Sequence, residues 1–248
     1  MENYETWDLS VHDYILLLGG SAAAGAGTGW LFYDRPGLGL LLGALLFLLV
    51  KPRYVLWQVE RRKRTLLLQF RDVLYSVSSC VSAGRSLGQA LEESIGFWKG
   101  TYGEKDLIIR ELAGMVRRMK EGNERDIDVL KDFAARCGLQ DVSDFAMVCE
   151  NCRESGADLV RAIDRATEVI GDRIELEREL TSMMVQKQFE GRIIMAAPFL
   201  LLLFLKITSP DFLLPLTSSP AGMMVSSLAL GLILAAVLMM ERVNRIAF

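Results

Sequence analysis

Apolar positions crowd both ends of this chain and thin out in the middle, and the spacing changes with them. Tyr14 to Tyr33 and Leu38 to Val50 form two apolar runs near the start, and Ile193 to Ile207 and Met223 to Met240 form two more near the end. Runs of this length without charge predict membrane-spanning helices, which need about 20 residues. The second is short, but Lys51 and Arg53 can reach outward to headgroups and Tyr54 and Trp57 suit an interface. Asp34, Arg35, Pro36 and Gly37 predict a turn between the first two spans. Ser209 to Pro220, with three prolines, predicts an extracytoplasmic turn between the last two. Pro198 is tolerated inside a span because neighbouring groups re-satisfy the freed carbonyl.

Between the runs, apolar residues recur at helical spacing. Leu66, Phe70, Val73, Val77 and Cys80 form one stripe, closed by Gly84. Ser86 and Gln89 predict a capping box ahead of Leu87, Ala90, Leu91 and Ile95, and Tyr102 with Gly103 marks the next loop. Asp106 is expected to cap a helix carrying Ile108, Leu112, Met115 and Met119, which stops near Gly122. Ile127, Leu130, Ala134 and Cys137 mark another, ended by Gly138, and Asp141 is expected to cap a helix that turns Val142, Phe145, Cys149 and Cys152 inward. No alternating pattern of strand length interrupts them. The insert therefore reads as five to six helices in an antiparallel bundle with glycine corners.

The corner Glu154, Ser155, Gly156, Ala157, Asp158, Leu159 organises the rest. Gly156 is expected to end one helix in the left-handed conformation and Asp158 to cap the next. No proline follows until Pro198, so one helix is predicted from this corner to about Ile207, roughly 50 residues and ~75 Å long. The fold expectation is an all-α membrane protein with four transmembrane helices in two hairpins flanking one cytosolic helical bundle. Its expected parts are an N-terminus at 1–13, hairpins at 14–50 and 193–240, the bundle at 51–192 and a tail at 241–248.

Charge sets the orientation. Arg61, Arg62, Lys63 and Arg64, with Arg192, Arg242 and Arg245, place the insert and both termini in the cytosol, while only Arg35 and Lys206 fall on or near the other side. Glu2, Glu5, Asp8 and Asp13 precede the first run and no basic residue does, unlike a secretory signal. From Lys51 to Arg192 there are 24 basic and 24 acidic residues, a balance that argues against a nucleic-acid surface and suits protein partners better.

The catalytic classes fare no better. Cys149 and Cys152 spell CxxC, but no βαβ context or second cysteine pair accompanies them, and Cys80 and Cys137 also lie on apolar stripes. They are expected to be reduced core residues. His12, the single histidine, has no ligand companions, the Glu92/Glu93 pair suits a solvated helix face, and no phosphate-binding GxxxxGK[ST] loop occurs. No enzyme, metal or cofactor is expected. Lys206 is the one ionisable residue within a span, which argues against ion-coupled transport.

Two patterns remain. Gly25/Gly29 and Gly39/Gly43 have GxxxG spacing near the first turn, where they are expected to let the two spans pack closely. The stretch Ser82, Ala83, Gly84, Arg85, Ser86, Leu87 with Ala90, Leu91, Glu92 repeats at Glu154 to Leu159 with Ala162, Ile163, Asp164. These two stretches, together with Phe133 to Leu139 and the arginine before Ile193 and Pro198, resemble the F-domain family of type II secretion and type IV pilus systems. The nearest branch is the TadB/TadC-type platform proteins of tight-adherence (Flp) pili, and the match runs from about Leu66 to the end. Classical secretion platforms of this family carry two such modules, whereas this chain carries one.

The resemblance implies a non-enzymatic, multi-pass inner-membrane platform embedded in the lipid bilayer. It would pass the motion of a cytosolic hexameric ATPase to pilin subunits and assemble with a sister platform protein or with itself. By geometry, the ATPase contacts are expected at three corner tips: Gly84, Arg85, Ser86 and Leu87; Lys120, Glu121, Gly122 and Asn123; and Glu154, Ser155, Gly156, Ala157, Asp158 and Leu159. A permease subunit served by a separate ATPase and a membrane-anchored signalling adaptor are the alternatives.

Overall fold

A computed structural model describes residues 4, 9, 11–34, 36–155 and 158–246. Among them nine helices follow in order: α1 (Val11–Tyr33), α2 (Pro36–Ser82), α3 (Leu87–Tyr102), α4 (Leu107–Glu121), α5 (Asp126–Cys137), α6 (Gln140–Ser155), α7 (Leu159–Thr208), α8 (Pro210–Ser218) and α9 (Pro220–Ile246). No strand occurs among the described residues. Four of these helices are long and apolar enough to cross a membrane. The chain divides into two units, one comprising Tyr4 with Val55–Leu180 and the other Leu9–Tyr54 with the chain from Thr181 onward.

The first unit is built on the apolar stripes. Leu66, Phe70, Val73 and Val77 of α2 are buried with Leu112 and Met115 of α4, Leu130 of α5, Val142 of α6 and Ile163, Ile170 and Ile174 of α7. Phe70 sits at the aromatic centre, 5.9 Å from Phe133 and 5.6 Å, edge-on, from Phe145. A polar seam joins α2 to α3. Trp98 donates to Ser76 at 3.1 Å, Ser76 donates to the buried Ser94 at 2.8 Å, and the Tyr102 hydroxyl donates to Asp72. Burial and the Asp72 carboxylate push the Tyr102 phenol up to about 12.

Two helix ends depart from the sequence expectation. Asp106 precedes α4 without capping it through its side chain. Asp141 lies inside the first turn of α6, where it takes an ion pair from Arg173 at 2.8 Å. α4 stops before Gly122 as its spacing predicts; there Gly122 stays right-handed and the next residue, Asn123, takes the left-handed turn at φ 49°. Asn tolerates that conformation better than other side chains. The larger departure is α2, which is one 47-residue helix where the pattern shows a span, a basic run and a separate stripe. Pro52 lies inside it. One proline removes a single backbone donor, which a long helix with side-chain packing on both sides of it withstands.

In the second unit, α1 meets the start of α2 at glycines. A Cβ on Gly25 would run into the backbone of Gly39 and Gly43, and one on Gly43 would lie 2.8 Å from the Ser21 carbonyl oxygen. Gly29 is buried as well. Leu31 and Phe32 of α1 and Leu230 of α9 form a small core against Phe199 and Leu202 of α7, with Phe32 and Phe199 edge-on at 6.0 Å. Tyr33 and Ser227 share a hydrogen bond of 2.8 Å. Lys206 caps this end, donating to the Trp30 carbonyl and to Asp34 at 3.0 Å with its ammonium over the Trp30 ring. The expected turn at Ser209 to Pro220 is instead mostly helical. Pro210 begins α8 and Pro220 begins α9, positions where a missing backbone N–H costs nothing. Between them the Ser219 hydroxyl accepts from the Gly222 N–H at 2.9 Å.

Candidate functional site: the corner end of the helical unit

The three corners named from the sequence come together at the end of the helical unit remote from Val55 and Leu180. Gly84, at φ 87°, ends the first stripe, and the Ser86 hydroxyl accepts from the Gln89 N–H while Gln89 accepts from the Ser86 N–H. That reciprocal cap starts α3 and sets Leu87 into the core. Gly88, one residue on, faces Met119 of α4 and Asp126 of α5, so the start of α3, the end of α4 and the start of α5 are neighbours. Lys120 reaches Glu92 at 2.5 Å across the first two, and Arg153 of α6 pairs with Asp126. The Asp158 carboxylate accepts from the N–H groups of Val160 and Arg161 at 3.0 and 3.3 Å, capping α7. Six residues on, Asp164 accepts from Ser78 near the end of α2.

Gly156 and Ala157, the centre of the third corner, lie outside the described residues, as do Arg35, Glu2, Glu5 and Asp8. Glu154 and Ser155 are exposed at the end of α6, and Leu159 is half-buried against the core. Arg85, Glu121 and Asn123 are exposed. The side chains of Arg242 and Arg245 are likewise not described.

Charge at this end is mixed and mutually paired. Arg85 meets Glu93 at 3.1 Å, Arg118 holds both Glu124 and Asp132, and Arg125 holds Asp128 at 2.7 Å. Hydrogen bonds from Arg118 and Arg125 keep the Glu124 and Asp128 carboxyls below the usual carboxylate range. Exposed pairs of this kind add little stability, because water and salt screen them. Their effect is to hold long side chains in one arrangement on an otherwise irregular surface.

A family model described as "Type II secretion system (T2SS), protein F" matches residues 73–206. This chain belongs to that family. The family is one of platform-type membrane proteins related to type II secretion and type IV pili, and its members are structural components. None of the curated proteins and none of the solved structures matches the chain. The family segment opens inside α2, takes in all three corners and closes at Lys206.

The family segment also holds all four cysteines. Cys80, Cys137 and Cys149 are buried and Cys152 is half-buried, all as free thiols. Burial pushes Cys137 up and Cys149 up to about 12. Among the described residues no three His, Cys, Asp or Glu side chains gather to hold a metal ion. With maleimide at pH 7.5, Cys152 is expected to react first, and Cys149 at least tenfold more slowly, only as the unit opens. Mass spectrometry of peptides from the native and the denatured protein measures the difference.

One feature of this unit had no sequence signal. Tyr4 is buried, and its hydroxyl donates to Glu111 at 2.8 Å while its N–H donates to the Arg136 carbonyl at 3.2 Å. Arg136 grips Glu111 with two bonds of 3.0 and 2.8 Å and also reaches Asp132. Through Asp132 and Arg118 the same network arrives at Glu124, beside the α4–α5 corner. A lone tyrosine among acidic residues has no periodicity from which its burial can be read.

Proposed function

We propose that this protein is the inner-membrane platform of a type IV or Tad pilus, or of a type II secretion-like machine, coupling a cytosolic secretion ATPase to pilin assembly. The observation that carries this reading is the family match over a segment that contains both the corner end and α7. Family membership supplies the platform role, and α7 supplies a route. Its backbone is helical without interruption from Leu159 to Thr208, from charged surface into a run that is apolar but for Lys206 near its end. The hexameric ATPase docks at the corner end, where Arg85, Lys120 and Glu154 stand exposed, and displacement passes along α7 to pilin leaving the bilayer. A hydrogen-bonded helix transmits displacement that a loop dissipates. In this reading the helical unit is an antiparallel bundle in the cytosol, and four spans in two hairpins put both termini on the same side. The glycine branch at Gly25, Gly29, Gly39 and Gly43 packs the first hairpin, and the platform pairs with a sister subunit or with itself. No catalytic step and no cofactor belongs to this chain.

Replacing Glu168 to Asp172 with a flexible Gly/Ser segment is expected to abolish pilus assembly or secretion while leaving the protein in the membrane. Surface pilin measured against membrane content checks this, and normal assembly would refute the transmission route. Gentle purification of the tagged protein from its own cells is expected to bring a secretion-type ATPase with it.

A further inference from the structure

The outer side of α7 carries a second surface, which begins one turn past the corner and runs toward Leu180. Between α6 and α7 lies a groove of ≈ 270 Å³ whose floor is Phe145, Val148, Ala162, Ala166, Val169 and Ile170. Ala162 and Ala166 keep it open, since any larger side chain there would fill it. Val148 and Val169 are 37% and 48% exposed, although both belong to helices whose other faces are in the core. The apolar line continues along α7 through Leu176 and Leu180, 59% and 50% exposed. Val169, Leu176 and Leu180 stand seven and four residues apart, so they lie on one face of the helix. From Ala162 to Leu180 the strip measures roughly 27 Å, the length of a five-turn helix.

The rim decides what fits. Arg165 is held by Glu168 at 2.6 Å and Arg173 by Asp141 at 2.8 Å, so both cations beside the groove are already answered. Asp144 on α6 and Asp172 and Glu179 on α7 are exposed and carry no ion pair among the described residues. The uncompensated charge along this strip is therefore negative on both sides. An anionic lipid surface would be repelled, and a second copy laid on the same strip would set acid against acid.

We propose that the α6–α7 groove and the α7 strip form a docking site for an amphipathic helix with basic flanks, supplied by a partner protein. The apolar face of that helix fills the space over Ala166 and Val169 at i, i+3, i+4 and i+7 spacing, and its lysines or arginines answer Asp144, Asp172 and Glu179. The site does not depend on the corner end or on the identity of the machine.

The test uses the full chain in phosphatidylcholine nanodiscs and two labelled 20-residue helical peptides. Both carry leucine on one face, one with lysine flanks and the other with glutamate flanks, and empty nanodiscs serve as the blank. The lysine peptide is expected to bind the loaded discs at least tenfold tighter than empty ones, and to weaken severalfold between 50 and 300 mM salt. Val169→Lys, at an exposed position that leaves the core alone, is expected to remove that excess. Asp144→Lys with Asp172→Lys is expected to invert the preference toward the glutamate peptide. Equal binding of both peptides, no binding above the blank, or an unchanged preference in the doubly substituted protein would overturn the proposal. So would a self-association of the protein that Val169→Lys dissolves, since a second copy would then cover the strip.

Discussion

Arg136→Ala is expected to destabilise the helical unit by about 3–5 kcal/mol, the usual cost of stripping one partner from a buried ion pair. Arg136 is the main answer to Glu111, whose side chain is only 6% exposed, and its removal leaves that carboxylate with the Tyr4 hydroxyl alone. The loss corresponds to roughly 10–20 °C in melting temperature for a unit of this size. Thermal unfolding in detergent, followed by circular dichroism, measures it. Removing both charges as Glu111→Met with Arg136→Met is expected to recover most of the loss, because two apolar side chains of similar volume leave no charge unanswered. A double variant as unstable as Arg136→Ala would show that the pair acts through geometry that apolar side chains do not replace. Tyr4→Phe probes the third member. It keeps the ring beneath Arg62 and deletes only the hydroxyl, for an expected cost of about 1–2 kcal/mol.

Gly39→Leu is expected to have the largest effect in the membrane unit. A Cβ at Gly39 would overlap the Gly25 carbonyl oxygen and lie 2.8 Å from the Ala26 Cα. Backbone atoms on the facing helix have no rotamer by which to move aside, so α1 and α2 must separate and forfeit their contact. Overpacking that side chains can relieve costs about 1–3 kcal/mol, and this case is expected to exceed that range. The control is Gly27→Leu on α1, where an added Cβ meets nothing within 4 Å. Yield of folded protein from membranes and its thermal stability in detergent are expected to fall sharply for Gly39→Leu and to stay near wild type for Gly27→Leu. Equal behaviour of the two variants would mean that the glycine contact is not needed.

Much of this architecture is legible in the order of apolar and polar residues. The stripe Leu66, Phe70, Val73 and Val77 is buried as its spacing requires, and so are Ile108, Leu112, Met115 and Cys149. Local chemistry also places Ser86 and Asp158 as caps, because a cap needs only a short polar side chain and the three residues after it. The 50-residue course of α7 follows from the absence of any helix breaker before Pro198.

Features that join distant residues are another matter. Asp141 reads as a cap until Arg173, 32 residues later in the chain, takes its carboxylate. The prolines of Ser209 to Pro220 read as a turn, yet two of them sit where a helix begins and lose nothing by lacking a donor. Neither outcome is local.

By itself the sequence determined the helical class, the apolar faces, two of the caps and the family, because each depends on spacing within a few residues or on a recurring order of motifs. Only the tertiary structure decided that Tyr4 closes a buried charge network, that three corners share one end of the helical unit, and that an acid-rimmed groove lies open between α6 and α7. Those depend on which side chains meet across tens of residues, and periodicity along one helix carries no record of what a different helix places opposite it.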